Sequence, residues 1–174
     1  MPIAGPCGIS GRVTRRLDRF DIDLLNLLQE DNLATAEALA RVVPLSPSAI
    51  ARRLRALRED GLIAADMAIL APDLTADRLR AFVQVQVHEH AEERGIARLR
   101  AGLAAAPEVQ LLVNLAGPVD LLVLVVTRSM REFNAFADRY FAGDPCVRRY
   151  ETSVVKNEIK NRPAVRLTLQ DVSG

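Results

Sequence analysis

The sequence predicts an α+β protein in two parts, a helix-turn-helix domain followed by a ferredoxin-like domain of βαββαβ order. Three observations carry this expectation. The run L-S-P-S-A-I-A-R-R-L-R-A-L-R-E-D-G, from Leu45 to Gly61, reads as an amphipathic helix with a marked start and stop. The run A-F-V-Q-V-Q-V-H, from Ala81, places Val83, Val85 and Val87 on one face and Gln84, Gln86 and His88 on the other, as a half-buried strand does. Beyond it the segments run helix, strand, strand, helix, strand, which completes the split β-α-β motif.

Taken in order, residues 1–16 hold Gly and Pro, three arginines (Arg12, Arg15, Arg16) and no long apolar core. They read as a flexible N-terminal extension rather than a signal peptide. Leu17 to Asp31 opens with acids at 18, 21 and 23, which suit a helix N-terminus, and carries Phe20, Leu24, Leu25, Leu27 and Leu28. Thr35 to Val43 reads as a short helix with Thr35 as its N-cap and Leu39 and Val42 inward. Val43-Pro44-Leu45 forms the turn to the next helix.

In that next helix Ser46 can accept from a first-turn amide, Pro47 fits the first helical position, and Gly61 supplies a left-handed C-terminal residue. At about 100° per residue, Ile50, Leu54 and Leu57 share a core face, while Ser48, Arg52 and Arg55 point away from it. Arginines on the second helix of such a motif can bond bidentately to guanine edges or phosphates, and its N-terminal residues go deepest into the major groove. Thr35, Ser46, Ser48, Arg52, Arg53 and Arg55 are therefore the candidate DNA-contacting residues. The competing reading, in which the arginines form only a solvated face with Glu59 and Asp60 as partners, stays open at this point.

Leu62 and Ile63 read as a short strand, and residues 65–78 as a strand and hinge linker. The helix-turn-helix domain is thus expected over 17–64 and the ferredoxin-like domain over 79–174. Within the latter, Ala91 to Ala106 has Ile96, Leu99 and Leu103 at helical spacing. V-Q-L-L-V-N-L-A and V-D-L-L-V-L-V-V, flanking Gly117-Pro118, can pair as a hairpin. Met130 to Phe141 buries Phe133, Phe136, Ala137 and Tyr140. Val147 to Ile159 supplies the last strand, with Val165 to Leu169 as its expected extension. A sheet with helices on one face leaves the other free, and apolar residues there invite a partner subunit.

Composition narrows the function classes. The chain has 174 residues, 49% hydrophobic, with a formal net charge of +1, so any nucleic-acid binding must come from local charge. Aromatic content is 4% with no Trp, which argues against stacking platforms for single strands and leaves duplex DNA as the nucleic-acid class. Cys7 and Cys146 have neither metal-ligand spacing nor a disulfide framework, so no metal is expected and a reducing cytoplasm is the simplest setting. No transmembrane span is evident.

Over Leu17 to about Leu169 the chain resembles the leucine-responsive and asparagine-type (Lrp/AsnC, feast/famine) transcriptional regulators. The resemblance rests on L-D-R-F-D-I-D-L-L-N-L-L, on L-S-P-S-A-I-A-R-R-L-R-A-L-R-E-D-G-L-I and on N-L-A-G-P-V-D-L-L-V, in that order. It implies a winged helix-turn-helix domain joined by a hinge to an effector-binding and oligomerisation domain. It further implies a homodimer formed through the sheets, dimers that assemble into octamers, and a small effector such as an amino acid. In this sequence the resemblance assigns that effector to Gly117 and Asp120, with Thr152 and Ser153 from the last strand. Pro44 departs from the glycine common in the family's turn, and Pro118-Val119 from its usual polar and aromatic loop pair.

Two rival functions are weighed against a DNA-binding regulator. One is an oligomeric interaction protein whose helix-turn-helix has lost DNA affinity. The other is a tetrapyrrole-pathway decarboxylase of the same two-part plan, which needs basic and histidine side chains around its substrate. The only histidines, His88 and His90, lie together at a strand end, and no nucleophile–base set, phosphate loop or carboxylate pair stands out. No enzymatic activity and no cofactor are expected.

Overall fold

A computed structural model describes residues 16–172 of the chain. The expected flexible extension lies, but for Arg16, outside the described residues, as does Cys7. The described chain forms two units. One runs to Ala68 and takes up the C-terminal stretch from Lys160; the other spans Ile69–Ile159.

The first unit is a three-helix domain: α1 (Arg19–Glu30), α2 (Ala36–Leu39) and α3 (Pro47–Glu59). Helix α1 starts in a reciprocal capping box, the Asp21 amide donating to the Asp18 carboxylate at 2.9 Å and the Asp18 amide to the Asp21 carboxylate at 3.3 Å. Thr35 caps α2 by accepting from the Ala38 amide at 3.2 Å. Ser46 caps α3 by accepting from the Ala49 amide at 3.3 Å, with Pro47 in the first turn. At the other end the Leu62 and Gly61 amides donate to the carbonyls of Leu57 and Arg58, and Gly61 has φ +71°. That is a Schellman closure, and it satisfies carbonyls that would otherwise be orphaned.

Leu24, Leu25 and Leu28 of α1, Leu39 of α2 and Ile50, Leu54 and Leu57 of α3 share one core. Burial of side chains of this size stabilises the domain by roughly 1.5–3 kcal/mol each. Val42, expected inward, is 69% exposed, and Val43 fills the core at 2%. The helical spacing breaks because α2 ends at Leu39 and the chain turns before Val43. Leu62 and Ile63 form no strand; they pack against the core instead, and residues 65–78 contain a single 3₁₀ turn, Pro72–Thr75, rather than a strand.

The second unit is β1 (Leu79–Val87), α4 (Glu93–Ala105), β2 (Val109–Asn114), β3 (Leu121–Thr127), α5 (Met130–Ala137) and β4 (Val147–Val154). The antiparallel sheet has the order β2-β3-β1-β4, as the ferredoxin-like plan requires. Ala81, Val83 and Val85 of β1 and Leu121, Val123 and Val125 of β3 are buried with Leu99 and Leu103 of α4 and Phe133 and Phe136 of α5. The alternate residues Phe82, Leu122, Leu124, Val126 and Val113 face the other side, half-buried, and Leu111 is exposed.

The last strand ends at Val154, short of the expected Ile159, and Val165 to Leu169 does not extend it. Those residues lie instead along α1. The Asn26 side chain donates to the Leu167 carbonyl at 3.0 Å and accepts from its amide at 2.8 Å; Gln29 does the same to Val165 at 2.9 and 2.7 Å. The alternation V-R-L-T-L suits a strand, but here side-chain amides of a helix satisfy its backbone. The boundary expected for the second domain, 79–174, therefore gives up its last residues to the first.

Candidate nucleic-acid interface and effector cleft

Helix α3 presents two kinds of arginine. Arg52 and Arg55 are exposed and have no ion-pair or hydrogen-bond partner among the described residues. Ser46 and Ser48 lie exposed at the same helix's start, their hydroxyls 3.1 Å apart, and Thr35 is exposed at the start of α2. All three hydroxyls are already engaged, since Ser46 and Thr35 cap their helices and Ser48 hydrogen-bonds to Ser46.

Arg53, expected with the DNA-contacting residues, is turned inward. Its Nη1 lies 2.8 Å from Asp21 and 2.9 Å from Asp18, and its guanidinium sits 5.7 Å from the centre of the Phe20 ring. Asp21 is only 2% exposed. At about 100° per residue Arg53 stands beside Leu57, on the edge of the core face, so the helix geometry directs it at α1. It clamps α3 across the capping box and thereby fixes how Arg52 and Arg55 are presented. Burial works against the Asp18 carboxylate, but the Asp21 amide and the Arg53 guanidinium hold it below the usual range.

Arg58 is also engaged, its Nε 3.0 Å from Asp66. Hydrogen bonds from Arg58 and Asn32 hold the Asp66 carboxyl low. Arg41, in the turn after α2, is exposed and unpartnered among the described residues. Sequence reasoning missed it because A-R-V-V-P-L carries no periodicity to mark a face.

In the second unit, Gly117 sits at φ +154° in the β2–β3 turn with open space where a Cβ would be. Asp120 closes that turn against β1: its Oδ2 accepts from the Val87 amide at 2.8 Å and its own amide donates to the Val85 carbonyl at 3.0 Å. Gln86 adds a bond from its side-chain amide to the Pro118 carbonyl at 2.8 Å. Beside this turn lies an open cleft of about 600 Å³, lined by Gln86, His88, Glu93, Pro118, Asp120 and Arg148 among others. Asp120 Oδ1 has no protein partner among the described residues.

Thr152 and Ser153 do not join that cleft. They pair with Val83 and Phe82, several residues along β1 from the end that meets Asp120. Tyr150 packs against the helix-side core, so alternation places Thr152 on that side and Ser153 on the open face. The four residues expected to share an effector thus fall at two places within one chain.

The sequence matches the winged helix-turn-helix DNA-binding family over residues 17–64 and the Lrp/AsnC ligand binding domain family over residues 80–165. It is 31% identical to an HTH-type transcriptional regulator of Sinorhizobium fredii, over 88% of this chain and 90% of that protein. The chain belongs to the Lrp/AsnC family of transcriptional regulators. Other members it resembles include the DNA-binding transcriptional activator DecR of Escherichia coli, 31% identical over 83% of this chain and 94% of that one. Among solved structures, a transcriptional regulator in complex with L-Met from Neisseria meningitidis superposes with a TM-score of 0.76 at 30% identity, covering 89% of this chain and 98% of that chain. An AsnC family regulator from Agrobacterium tumefaciens gives 0.75 at 28%, covering 86% and 96%. In this Lrp/AsnC chain no helix among the described residues is long and apolar enough to cross a membrane.

Proposed function

We propose that this Lrp/AsnC regulator binds specific duplex DNA through α3 and that its second unit binds a small effector of the amino-acid class and forms the dimer. The observation that carries the reading is the division of labour on α3. Arg53 is consumed by α1, while Arg52 and Arg55 stand exposed, turned away from that pair and with no ion-pair partner among the described residues. A side chain kept for solvation alone has no need of so rigid a support, with a cap at each end and an ion pair in the middle.

The open face of the sheet supports self-association. Phe82, Val113, Leu122 and Leu124 form an apolar patch between polar residues of β1 and β4. A second copy, bringing the same patch across a two-fold axis, is the occupant assigned to it here. For the effector, Asp120 offers one carboxylate oxygen to an ammonium group while the other holds the turn, and Arg148 lines the same cleft for a carboxylate. The L-Met in the Neisseria complex belongs to this chemical class. An effector that favours one assembly shifts the population competent for DNA.

The test is fluorescence anisotropy with DNA from the protein's own promoter region across a salt series. The proposal expects tight binding at low salt that weakens steeply as salt rises. No binding at low salt contradicts it and favours a pure interaction protein.

A further inference from the structure

The cleft beside the β2–β3 turn has more negative charge on its walls than a neutral amino acid can use. A free α-amino acid brings one ammonium and one carboxylate. Asp120 Oδ1 and the Arg148 guanidinium, neither with a protein partner among the described residues, answer those two groups. Two further carboxylates, Glu89 and Glu93, line the same cleft.

These two are not equivalent. Glu93 stands in the first turn of α4, where an acid favours the helix dipole, and it lies 3.5 Å from Arg100. The helix and the arginine account for its charge. Glu89 has neither. It sits in the turn between β1 and α4, which the Ala91 amide closes by donating to the His88 carbonyl at 3.0 Å, so the backbone fixes its place on the cleft wall. Its carboxylate is exposed and has no partner among the described residues.

The wall around these groups is aliphatic. Val87 from β1, Ala91 from the turn and Ile96 from α4 line it half-buried. A run of methylenes can lie along such a surface while its charged end reaches a partner or water. An acidic side chain there meets Glu89 and Glu93 with like charge. Apolar contact along the stem and an unpaired carboxylate on the same wall together suit a long side chain that ends in a cation.

We propose that the effector is an amino acid with a long cationic side chain, of the class of lysine, ornithine and arginine, and that Glu89 selects it. The inference rests on the reading of this cleft as an effector site and adds the charge of the ligand. All the residues involved lie within the second unit. An ion pair as exposed as this one gives a preference of roughly two- to fivefold, which shrinks as salt screens it.

The test is isothermal titration calorimetry on the full chain at low salt. The probes are L-lysine, L-norleucine, which has the same aliphatic stem without the charge, and L-glutamate. L-Lysine is expected to bind roughly two- to fivefold tighter than L-norleucine, with L-glutamate the weakest. Glu89→Gln should bring L-lysine and L-norleucine to equal affinity, and Glu89→Lys should move L-glutamate ahead of L-lysine. The charge-reversed variant separates selection from a merely structural role, because a disturbed turn weakens all three probes and inverts no order. L-Norleucine or L-glutamate binding the parent as tightly as L-lysine overturns the proposal while leaving the cleft an effector site, as does a lysine preference that survives in Glu89→Gln. No heat with any of the three overturns the effector reading together with it.

Discussion

Arg53 of α3 and Asp21 of α1 meet at 2.8 Å across the capping box that opens α1, with the carboxylate almost wholly buried. The pair ties the helix that carries the exposed arginines to the helix that supports it. Removing Arg53 leaves the Asp21 carboxylate with little water to replace the loss.

Arg53→Ala is therefore expected to lower the stability of the helical unit by about 2–3 kcal/mol, since charge-assisted bonds at a partly buried site are lost together. Urea unfolding followed by circular dichroism measures it. An unchanged midpoint contradicts the clamp and returns Arg53 to the surface-charge group.

The Asp18 carboxyl is held below its ordinary 3.8 in the folded protein. A depressed carboxylate contributes stability that is complete above the unfolded value and is lost as pH falls through the folded one. Stability of the helical unit should then be flat with respect to this group above about pH 5 and fall in the acid range below 3.8. Asp18→Asn should make that fall shallower, as read from urea midpoints across a pH series. The same acid slope in both proteins counts against Asp18.

Gly95 of α4 lies so close to the Cys146 sulfur that a Cβ has no room beside it. Gly95→Ala is expected to cost about 1–3 kcal/mol through overpacking. Cys146→Ala removes the obstacle, so the double variant should lose less than the sum of the single losses in a thermal-unfolding cycle. Simple additivity contradicts the contact.

Asp120 both braces its turn and faces the cleft. Asp120→Ala should abolish the heat of binding seen when a panel of amino acids is titrated calorimetrically, while DNA affinity of the effector-free protein is unchanged. An amino acid that binds both proteins equally removes Asp120 from the effector site.

What was legible in the sequence was local. Ser46, Pro47 and Gly61 mark the limits of α3 because capping acts within a few residues, and the alternation of β1 and β3 shows which face is buried. The inward turn of Arg53 was within reach, since it neighbours Leu57 on the helical wheel and acids at 18 and 21 were in view as dipole partners. What periodicity cannot show is which distant element receives a side chain, and the acids were as consistent with the helix dipole alone. The docking of residues 165–169 on α1 was hidden for a related reason: V-R-L-T-L alternates equally well against a strand or against the amides of Asn26 and Gln29. The separation of Thr152 from Asp120 depends on the β1–β4 register, which residue types alone do not fix.

We propose DNA contact by Arg52 and Arg55 from a helix that Arg53 holds in place. Its most direct test compares the salt dependence of DNA binding for the wild type and for Arg52→Ala with Arg55→Ala, with oligomer size followed by size-exclusion chromatography. Each phosphate contact contributes about −0.9 to the slope of log affinity against log salt, so the variant's slope should flatten by about 1.8 for each subunit engaged, at unchanged oligomer size. Equal slopes in the two proteins would show that Arg52 and Arg55 do not contact DNA.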